Sequence, residues 1–443
     1  MKTTLAQVLQ CDFHANLIDF LREIMFSQSF HDRHRRSIVD FSRESILNFP
    51  NMILFLMNLL KGSIQDELDI FFKSILQLEV HERIVTKQAF SKGRKKLNHQ
   101  AFIELNDSLN SFFNQNHAPL KWNNFRLVSI DGSTVKVPKT DAAAGHFGSW
   151  NPEKGESCPI ARISQSFDVL NHVTIDALIR PKSEGERELL VSHLQKSRTD
   201  DLYLVDRGYP AFWIFKLIQS RSANFCARVS YTTWNETKEF FASGKRDKTV
   251  FLHPSTQSKM KCQELGLDTK PIKVRLIRVT LDNNTTEILI TSLTDCTKYP
   301  TDIFADLYHK RWPVEEDYKV MKCRIQVENF SGKSVHSVYQ DFHEKVLAKN
   351  LSSILAYQVT EQIEQKHLNC KHPYQINFTQ VLSKMKNTIV LLFLRSKDEV
   401  LTIISKLKEI FVKTAEPIRP GRKYPRKHKV QRKGFFISYK QTS

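Results

Sequence analysis

The sequence predicts a mixed α/β protein in which helical segments flank a middle rich in strands. Three patterns in its 443 residues predict this class. Apolar residues recur at helical spacing up to about residue 120, strand-like runs alternate with helical runs over 125–229, and helical spacing returns after 340. A hydrophobic content of 41% is typical of a folded globular chain, and the length allows several domains.

The first 120 residues are predicted to be helical, and Pro50 is expected to mark a helix start or a kink. Within this region the segment 85–96 carries five basic residues and no acidic one after a candidate N-cap, Thr86. Two interpretations are open: a helix lying against phosphates, or a solvated basic face. The same two apply to the basic cluster at 31–36.

The middle of the chain places two aspartates immediately after predicted strands. A run at 125–130 ends at Asp131, and a short buried run at 202–205 ends at Asp206. The other elements predicted in this region are a hairpin (161–170 with 172–179), helices at 184–194 and 211–218, and a strand at 224–229. The sequence therefore predicts an α/β layer with two aspartates at strand ends.

The remaining segments differ in character. Residues 272–281 alternate between apolar and basic, and with 286–291 they indicate an inserted β subdomain over about 230–300. Helical spacing returns over 340–410. The tail from Pro417 is rich in Lys, Arg and Pro and has no acidic residue, so we expect a flexible basic arm.

Charge and cysteine usage limit the classes of partner and compartment. A net charge of +19 indicates a polyanionic partner, most often nucleic acid. The seven scattered cysteines contain no Cys-x-x-Cys pair, which is typical of a reducing cytosol. No signal peptide is recognisable, and the longest apolar run, 52–60, is too short to span a bilayer. We therefore expect a cytoplasmic protein without membrane association.

The densest chemical motif lies at 308–322. Tyr308, Arg311, Glu315 and Lys322 follow one another at spacings of 3, 4 and 7. On a continuous helix these positions fall within about 60° of arc, and Lys319 falls close to the same face. One carboxylate among phosphate-binding donors is what a helix needs to hold both a metal ion and a nucleic-acid backbone.

Pro313 decides how far this geometry holds. Proline is tolerated only in the first turn of a helix, because it lacks an N–H group and collides with the preceding turn. If the helix begins near Trp312, then Tyr308 and Arg311 belong to a preceding turn.

Asp131, Asp206 and Glu315 are the candidate catalytic and metal-binding residues. Three converging carboxylates can hold two divalent ions about 3.5–4 Å apart for in-line attack on a phosphodiester. Oxygen ligands suit Mg²⁺, and Mn²⁺ can substitute for it. Taken singly, either aspartate could also be a turn or N-cap residue.

Together these residues resemble the bacterial insertion-sequence transposases of the DDE type, specifically the IS-four family. Its signature is Tyr, two residues, Arg, three residues, Glu, six residues, Lys, and the spacing of Tyr308, Arg311, Glu315 and Lys322 matches it. Asp131, followed by Gly-Ser-Thr, is similar to the family's first aspartate. Asp206, in Leu-Val-Asp-Arg-Gly-Tyr, is similar to its second.

The resemblance implies an RNase H-like catalytic core and cut-and-paste transposition. Asp131, Asp206 and Glu315 would bind Mg²⁺, while Tyr308, Arg311, Lys319 and Lys322 would contact DNA. The implied partners are the terminal inverted repeats of a transposon and target DNA, bound by a homodimer. Trp234 is a candidate for stacking on a flipped base, with core packing as the alternative.

Two other functions stay open: a metal-dependent nuclease without strand transfer and an inert DNA-binding relative.

The predicted domain organisation follows from the same sequence patterns. The predicted segments are a helical, DNA-binding domain (1–120), the first part of the RNase H-like core (121–229), a β-rich insertion (230–300), the second part of the core (301–365), a C-terminal helical region (366–416) and a basic tail (417–443).

Overall fold

The computed structural model describes residues 5–151, 156–280 and 285–419, with side chains from residue 13 onward. The chain divides into two compact units. The first comprises Met1–Pro119, Val135–Ala161 and Lys319–Ser443, and the second comprises Leu120–Thr134 and Arg162–Tyr318. The predicted tail beyond residue 419 lies outside the described residues, and the predicted domain boundaries stay predictions.

The elements alternate between helices and strands in the middle of the chain and are mainly helical at both ends, as the sequence predicts. No described helix is long and apolar enough to span a bilayer. In chain order the elements are α1 (Leu5–Phe26), α2 (Gln28–His34), α3 (Phe49–Leu56), α4 (Ile64–Leu76), α5 (Lys87–Arg94), α6 (Gln100–Asn116), β1 (Arg126–Lys136), α7 (Asp141–Phe147), β2 (Ser149–Trp150), β3 (Cys158–Asp168), β4 (Val173–Pro181), α8 (Glu186–His193), a 3₁₀ turn (Leu194–Lys196), β5 (Asp201–Val205), α9 (Phe212–Ser220), β6 (Asn224–Val229), α10 (Asn235–Ala242), β7 (Asp247–Leu252), α11 (Thr256–Glu264), β8 (Ile272–Thr280), β9 (Thr286–Thr291), α12 (Ile303–His309), α13 (Pro313–Lys319), a π-helical segment (Val320–Arg324), α14 (Val335–Tyr357), α15 (Thr360–Lys366), β10 (Tyr374–Gln375), α16 (Phe378–Met385), α17 (Thr388–Leu394), α18 (Lys397–Lys413) and β11 (Glu416–Pro417).

Local chemistry explains where the helices of the first unit begin. Asn48 caps α3, and Pro50 lies in its first turn, as predicted. Thr86 caps α5 by accepting a hydrogen bond from the Ala89 amide at 3.2 Å, which confirms the predicted cap. The long helix α14 is buried over almost its whole length, so it forms the centre of this unit.

A saturated ionic network, which we call the α14 network, joins α5 to α14. Arg94 donates to Asp341 at 2.8 Å, to Ser331 at 2.7 Å and to Gln340 at 2.9 Å. Arg94 and Asp341 are both buried. Arg94 is therefore a structural residue of this unit, which removes one of the five basic residues of the 85–96 segment from the candidate phosphate contacts. The other four are exposed: Lys87, Lys92, Lys95 and Lys96.

The second unit is built on a sheet with the strand order β3-β1-β5-β6-β9-β8-β7, and β4 pairs with β3. Strands β1, β5 and β6 are parallel to one another, whereas β9, β8 and β7 add antiparallel. Helix α9 packs on this sheet, where the rings of Phe215 and Phe225 stack with centroids 4.1 Å apart. The strands within 230–300 thus extend the main sheet instead of forming a sheet of their own; α10 precedes β7, and α11 lies between β7 and β8.

Two local predictions are wrong. Strand β1 does not end at Asp131 but continues to Lys136, because Asp131-Gly-Ser-Thr takes extended backbone instead of a turn. The segment 308–322 is not a continuous helix, because α12 ends at His309 and α13 begins at Pro313. Pro313 is the first helical residue, where its missing N–H group costs nothing. Tyr308 and Arg311 therefore precede the helix that carries Glu315.

Candidate active site

Asp131 and Asp206 lie side by side on neighbouring parallel strands. Ile130 pairs with Val205 in the register of β1 and β5, so Asp131 is the next residue of β1 and Asp206 is the residue immediately after β5. Adjacent strands are about 4.8 Å apart. The Arg207 amide donates to the Asp206 carboxylate at 2.7 Å. The prediction that Asp206 directly follows a strand is confirmed.

The backbone of Asp131 is fixed from behind. Its carbonyl oxygen accepts hydrogen bonds from the Tyr318 hydroxyl at 2.7 Å and from the Ser164 hydroxyl at 3.2 Å. Burial raises the pKa of the Asp131 carboxyl to about 6, against the opposing effects of the Gly132 amide and Arg311. The negative charge of Glu315 adds to the rise, so these two acids share one electrostatic environment.

Behind Asp131 lies a hydrogen-bonded row of Ser164, His193 and Asp176. His193 lies 2.9 Å from the Ser164 hydroxyl through Nε2 and 2.7 Å from the Asp176 carboxylate through Nδ1. This order is that of a hydrolytic Ser-His-Asp triad. However, all three residues are buried, and the serine donates to the Asp131 carbonyl. The row therefore supports strand β1 and does not present a nucleophile to a substrate.

Asp206 is held by an arginine that the sequence analysis did not identify. Arg228 on β6 donates to Asp206 at 2.6 Å through Nη2, and through Nη1 it donates to Glu287 at 2.5 Å. Burial opposes ionisation of Asp206, but the Arg207 amide and the Arg228 guanidinium outweigh it and lower the pKa of this carboxyl. Asp206 is therefore the more readily ionised of the two aspartates.

Glu315 is also paired with an arginine. Arg311, nearly buried, donates to Glu315 at 2.5 Å. The positive charge of Arg311 opposes the rise in the pKa of Asp131 and contributes to the fall in the pKa of Asp206. At each aspartate, burial and hydrogen bonding have larger effects. The Tyr308 hydroxyl lies 3.4 Å from the carbonyl oxygen of Val205, the residue before Asp206. The break before Pro313 thus places Tyr308, Arg311 and Glu315 around the end of β5.

These side chains surround a cavity of about 780 Å³. Four of the predicted site residues line it, namely Asp206, Tyr308, Arg311 and Glu315, whereas Asp131 does not. The full lining is Asp206, Arg228, Val279, Thr280, Glu287, Leu289, Ala305, Asp306, Tyr308, His309, Arg311, Trp312 and Glu315.

The donor set fits a hard divalent ion, although the arginines now hold the carboxylates. Among the described residues, no three His, Cys, Asp or Glu side chains are placed to hold a metal ion. Arg228 and Arg311 each hold one of the candidate carboxylates in an ion pair. Carboxylate oxygens are the ligands that Mg²⁺ and Mn²⁺ prefer, so Asp131, Asp206 and Glu315 suit such an ion once the pairs open.

The other predicted site residues are on different elements. Lys319 ends α13 and Lys322 lies in the π-helical segment, and both belong to the first compact unit. Trp234 caps α10 and packs against the core of the second unit, 5.9 Å from the Phe215 ring, which favours the core-packing interpretation. Arg228 was the main omission; its only signal was a charged residue in an otherwise apolar strand.

Comparison with known proteins agrees with the motif. The profile of the family described as Transposase DDE domain matches residues 122–351, about half of the chain. Transposase InsG for insertion sequence element IS4, from Escherichia coli (strain K12), is 25% identical over 313 residues, covering 69% of this chain and 68% of that protein. A cryo-EM structure of the piggyBac transposase synaptic complex with hairpin DNA aligns with a TM-score of 0.45 and 11% identity, covering 92% of this chain and 87% of that one.

Proposed function

This chain belongs to the transposase DDE domain family, whose members cleave and transfer DNA strands, and from that premise we propose cut-and-paste transposition by a two-metal mechanism. The protein would bind the ends of an insertion sequence, cleave them with Mg²⁺ and join the freed ends to target DNA. The observation that supports this proposal is that Asp131 and Asp206 each follow a residue of the last pair, Ile130 and Val205, in the register of two parallel strands, with Glu315 and Asp206 lining one cavity.

An RNase H-like core is part of this proposal. Its support is the strand order β4-β3-β1-β5-β6, in which β1 has a hairpin on one side and two parallel strands on the other. In parallel sheets, ligands bind outside the carboxyl ends of the strands. Asp206 lies at such an end, and Asp131 lies beside it although β1 continues.

The proposed roles follow from the contacts. Asp131, Asp206 and Glu315 would hold the metal ions. When bound, two such ions activate a water or 3′-hydroxyl for attack and stabilise the leaving oxygen. Arg311 and Arg228 neutralise the carboxylates beforehand, which lowers the repulsion among three acids in a half-buried site.

DNA contacts are proposed for Tyr308, Arg311, Lys319 and Lys322. Arginine suits bidentate phosphate binding, and lysine acts as a point charge. Arg311 now pairs with Glu315. If Glu315 held a metal ion instead, the Arg311 guanidinium would be available to bind a phosphate.

The N-terminal helical domain is proposed to bind DNA through α5, whose exposed lysines include Lys92. A homodimer is proposed because two transposon ends must be cut together. The mass of the complex formed on paired end sequences, measured by light scattering, tests the dimer. Inverted repeats flanking the reading frame would define the end DNA to use.

The carboxylate assignment is tested with Asp131→Asn, Asp206→Asn and Glu315→Gln in the full chain. Each variant should keep binding to transposon-end DNA while Mg²⁺-dependent cleavage is abolished. Glu316→Gln is the matched control, since it removes a neighbouring carboxylate on the same helix, and it should cleave normally. Cleavage at the wild-type rate by Glu315→Gln would remove Glu315 from the site.

A nuclease that only hydrolyses would use the same carboxylates. A pre-cut end with a free 3′-hydroxyl, mixed with target DNA and Mg²⁺, separates the two functions. Joined product supports transposition. Hydrolysis without joining favours a nuclease, and DNA binding without either reaction favours an inert relative.

A further inference from the structure

The two glycines that follow the catalytic aspartates are not required by their backbone conformation. Neither Gly132 nor Gly208 has a left-handed φ. A Cβ atom at Gly132 would lie 3.0 Å from Oε1 and 3.1 Å from Cγ of Glu186. A Cβ atom at Gly208 would lie 3.9 Å from Oε2 of the same side chain. The carboxylate of Glu186 therefore lies against both segments that leave the two aspartates.

Glu186 is held in this position by its own contacts. It is the first residue of α8, and its Oε1 accepts a hydrogen bond from Arg162 at 3.2 Å. Its side chain is 42% exposed, so a solvated ion can reach it.

Tyr209 gives a second, independent indication of a ligand. Its side chain is 1% exposed, and its hydroxyl has no hydrogen-bond partner among the described residues. Burial raises the pKa of Tyr209, and the charges of Asp131, Glu186 and Asp206 raise it further. A buried hydroxyl without a hydrogen-bond partner is unfavourable unless a bound group accepts its hydrogen bond.

We propose that Glu186 is a fourth carboxylate of the divalent metal site. The inference rests on the proposed function, because it takes Asp131 and Asp206 as metal ligands. The ligand class is a hydrated Mg²⁺ or Mn²⁺ ion, for which Glu186 supplies an oxygen, directly or through a water, and Tyr209 a buried donor. Gly132 is glycine because the Glu186 carboxylate occupies the space of its side chain.

The test measures binding of Mn²⁺ alone to the full chain without DNA, by titration calorimetry and by electron paramagnetic resonance of free Mn²⁺. Glu186→Gln should weaken binding by about 10-fold or more. Glu188→Gln is the matched control, because it removes an exposed carboxylate from the same helix, and its affinity should equal that of the wild type. Wild-type affinity in Glu186→Gln would overturn the proposal.

A glycine pair provides a second arm that leaves Glu186 in the chain. Gly132→Ala should weaken Mn²⁺ binding, because the new methyl group displaces the carboxylate. Gly208→Ala makes an ordinary contact and should bind as the wild type does. Equal affinity in both alanine variants would contradict the steric argument and overturn the proposal even if Glu186→Gln fails to fold.

The Asp206→Asn variant distinguishes failure of the Glu186 assignment from failure of the proposed metal site. If Asp206→Asn loses Mn²⁺ affinity and Glu186→Gln does not, only the fourth carboxylate is wrong. If Asp206→Asn also binds as the wild type does, the metal site of the proposed function fails as well.

Discussion

Two arginine–aspartate pairs of this protein have the same chemistry and different environments. In the first unit, the Arg94 and Asp341 side chains are 6% and 2% exposed, and serine and glutamine complete their hydrogen bonds. In the second unit, the Arg228 and Asp206 side chains are 28% and 35% exposed and face a cavity. The first pair is closed to solvent, whereas the second is accessible to it.

The difference teaches how to separate a structural ion pair from a functional one. A buried, saturated pair has no capacity for another ligand, and removing one partner leaves an uncompensated charge. A half-exposed pair contributes little stability, so its arginine can be removed at small cost to the fold. Burial and saturation, not residue type, distinguish the two sites.

The largest expected effect is a loss of stability when the buried Arg94–Asp341 pair is broken. Asp341→Asn should lower the free energy of unfolding by about 3–5 kcal/mol, since it leaves the Arg94 charge buried without its carboxylate. Urea denaturation measures this. Asp302→Asn breaks the exposed pair with Arg246 and serves as the control, with an expected change below about 1 kcal/mol. Equal losses in both variants would refute the contrast.

The same variant has a signed dependence on pH. Burial opposes ionisation of Asp341, but Arg94, Lys345 and Ser331 outweigh it and lower the pKa of this carboxyl. A lowered carboxyl pKa stabilises the fold above the unfolded-state value of about 3.9, and this stabilisation is lost as pH falls. The difference between wild type and Asp341→Asn should therefore be constant from about pH 5 to 8 and shrink below about pH 4.

Breaking the part-exposed Arg228–Asp206 pair should strengthen metal binding instead of weakening the fold. Arg228→Gln frees Asp206, and a part-exposed pair is worth up to about 1 kcal/mol. Mn²⁺ affinity should therefore rise by up to about fivefold, with little change in stability. Glu287→Gln removes the other partner of Arg228 but leaves the arginine on Asp206, so it should give no rise. Weaker Mn²⁺ binding by Arg228→Gln would show that this arginine supports the site.

The smallest expected effect concerns phosphate contacts. Lys322→Ala should weaken binding to end DNA and reduce the slope of log affinity against log salt by about 0.9, the value for one lost contact on duplex DNA. Lys413→Ala, an exposed lysine near the end of α18, is the control for charge alone. An unchanged slope in Lys322→Ala would count against its proposed contact.

Local chemistry could be predicted from the sequence, and proximity across the fold could not. The strand before Asp206, the cap Thr86 and the strand at 224–229 are all encoded by neighbouring residues, and all are confirmed. Glu186 and Arg228 stand 20 and 22 residues from Asp206 in sequence. No sequence periodicity links Glu186 or Arg228 to Asp206. The sheet register and the packing of α8, which the sequence does not show, bring these residues together.

The helix carrying Glu315 was predicted only in part, for a physical reason. Proline chemistry indicated a possible start near Trp312, but the helical spacing of the motif favoured one continuous face. In the structure the helix begins at Pro313, as proline chemistry indicated. The continuation of β1 past Asp131 was missed because Asp-Gly-Ser is also a common turn sequence, and only the neighbouring strand decides between the two.

The π-helical segment Val320–Arg324 gives the spacing between Glu315 and Lys322 a different meaning. A π-helical turn is a helix with one extra residue accommodated in its ladder. The seven-residue interval between Glu315 and Lys322 therefore spans a helix that contains a π-helical turn, not a regular α-helix. Deleting one residue there should restore the regular ladder and turn the Lys322 side chain by about 100°. The spacing of the signature residues in this chain thus spans a π-helical turn, and it sets the direction of the Lys322 side chain as well as its distance from Glu315.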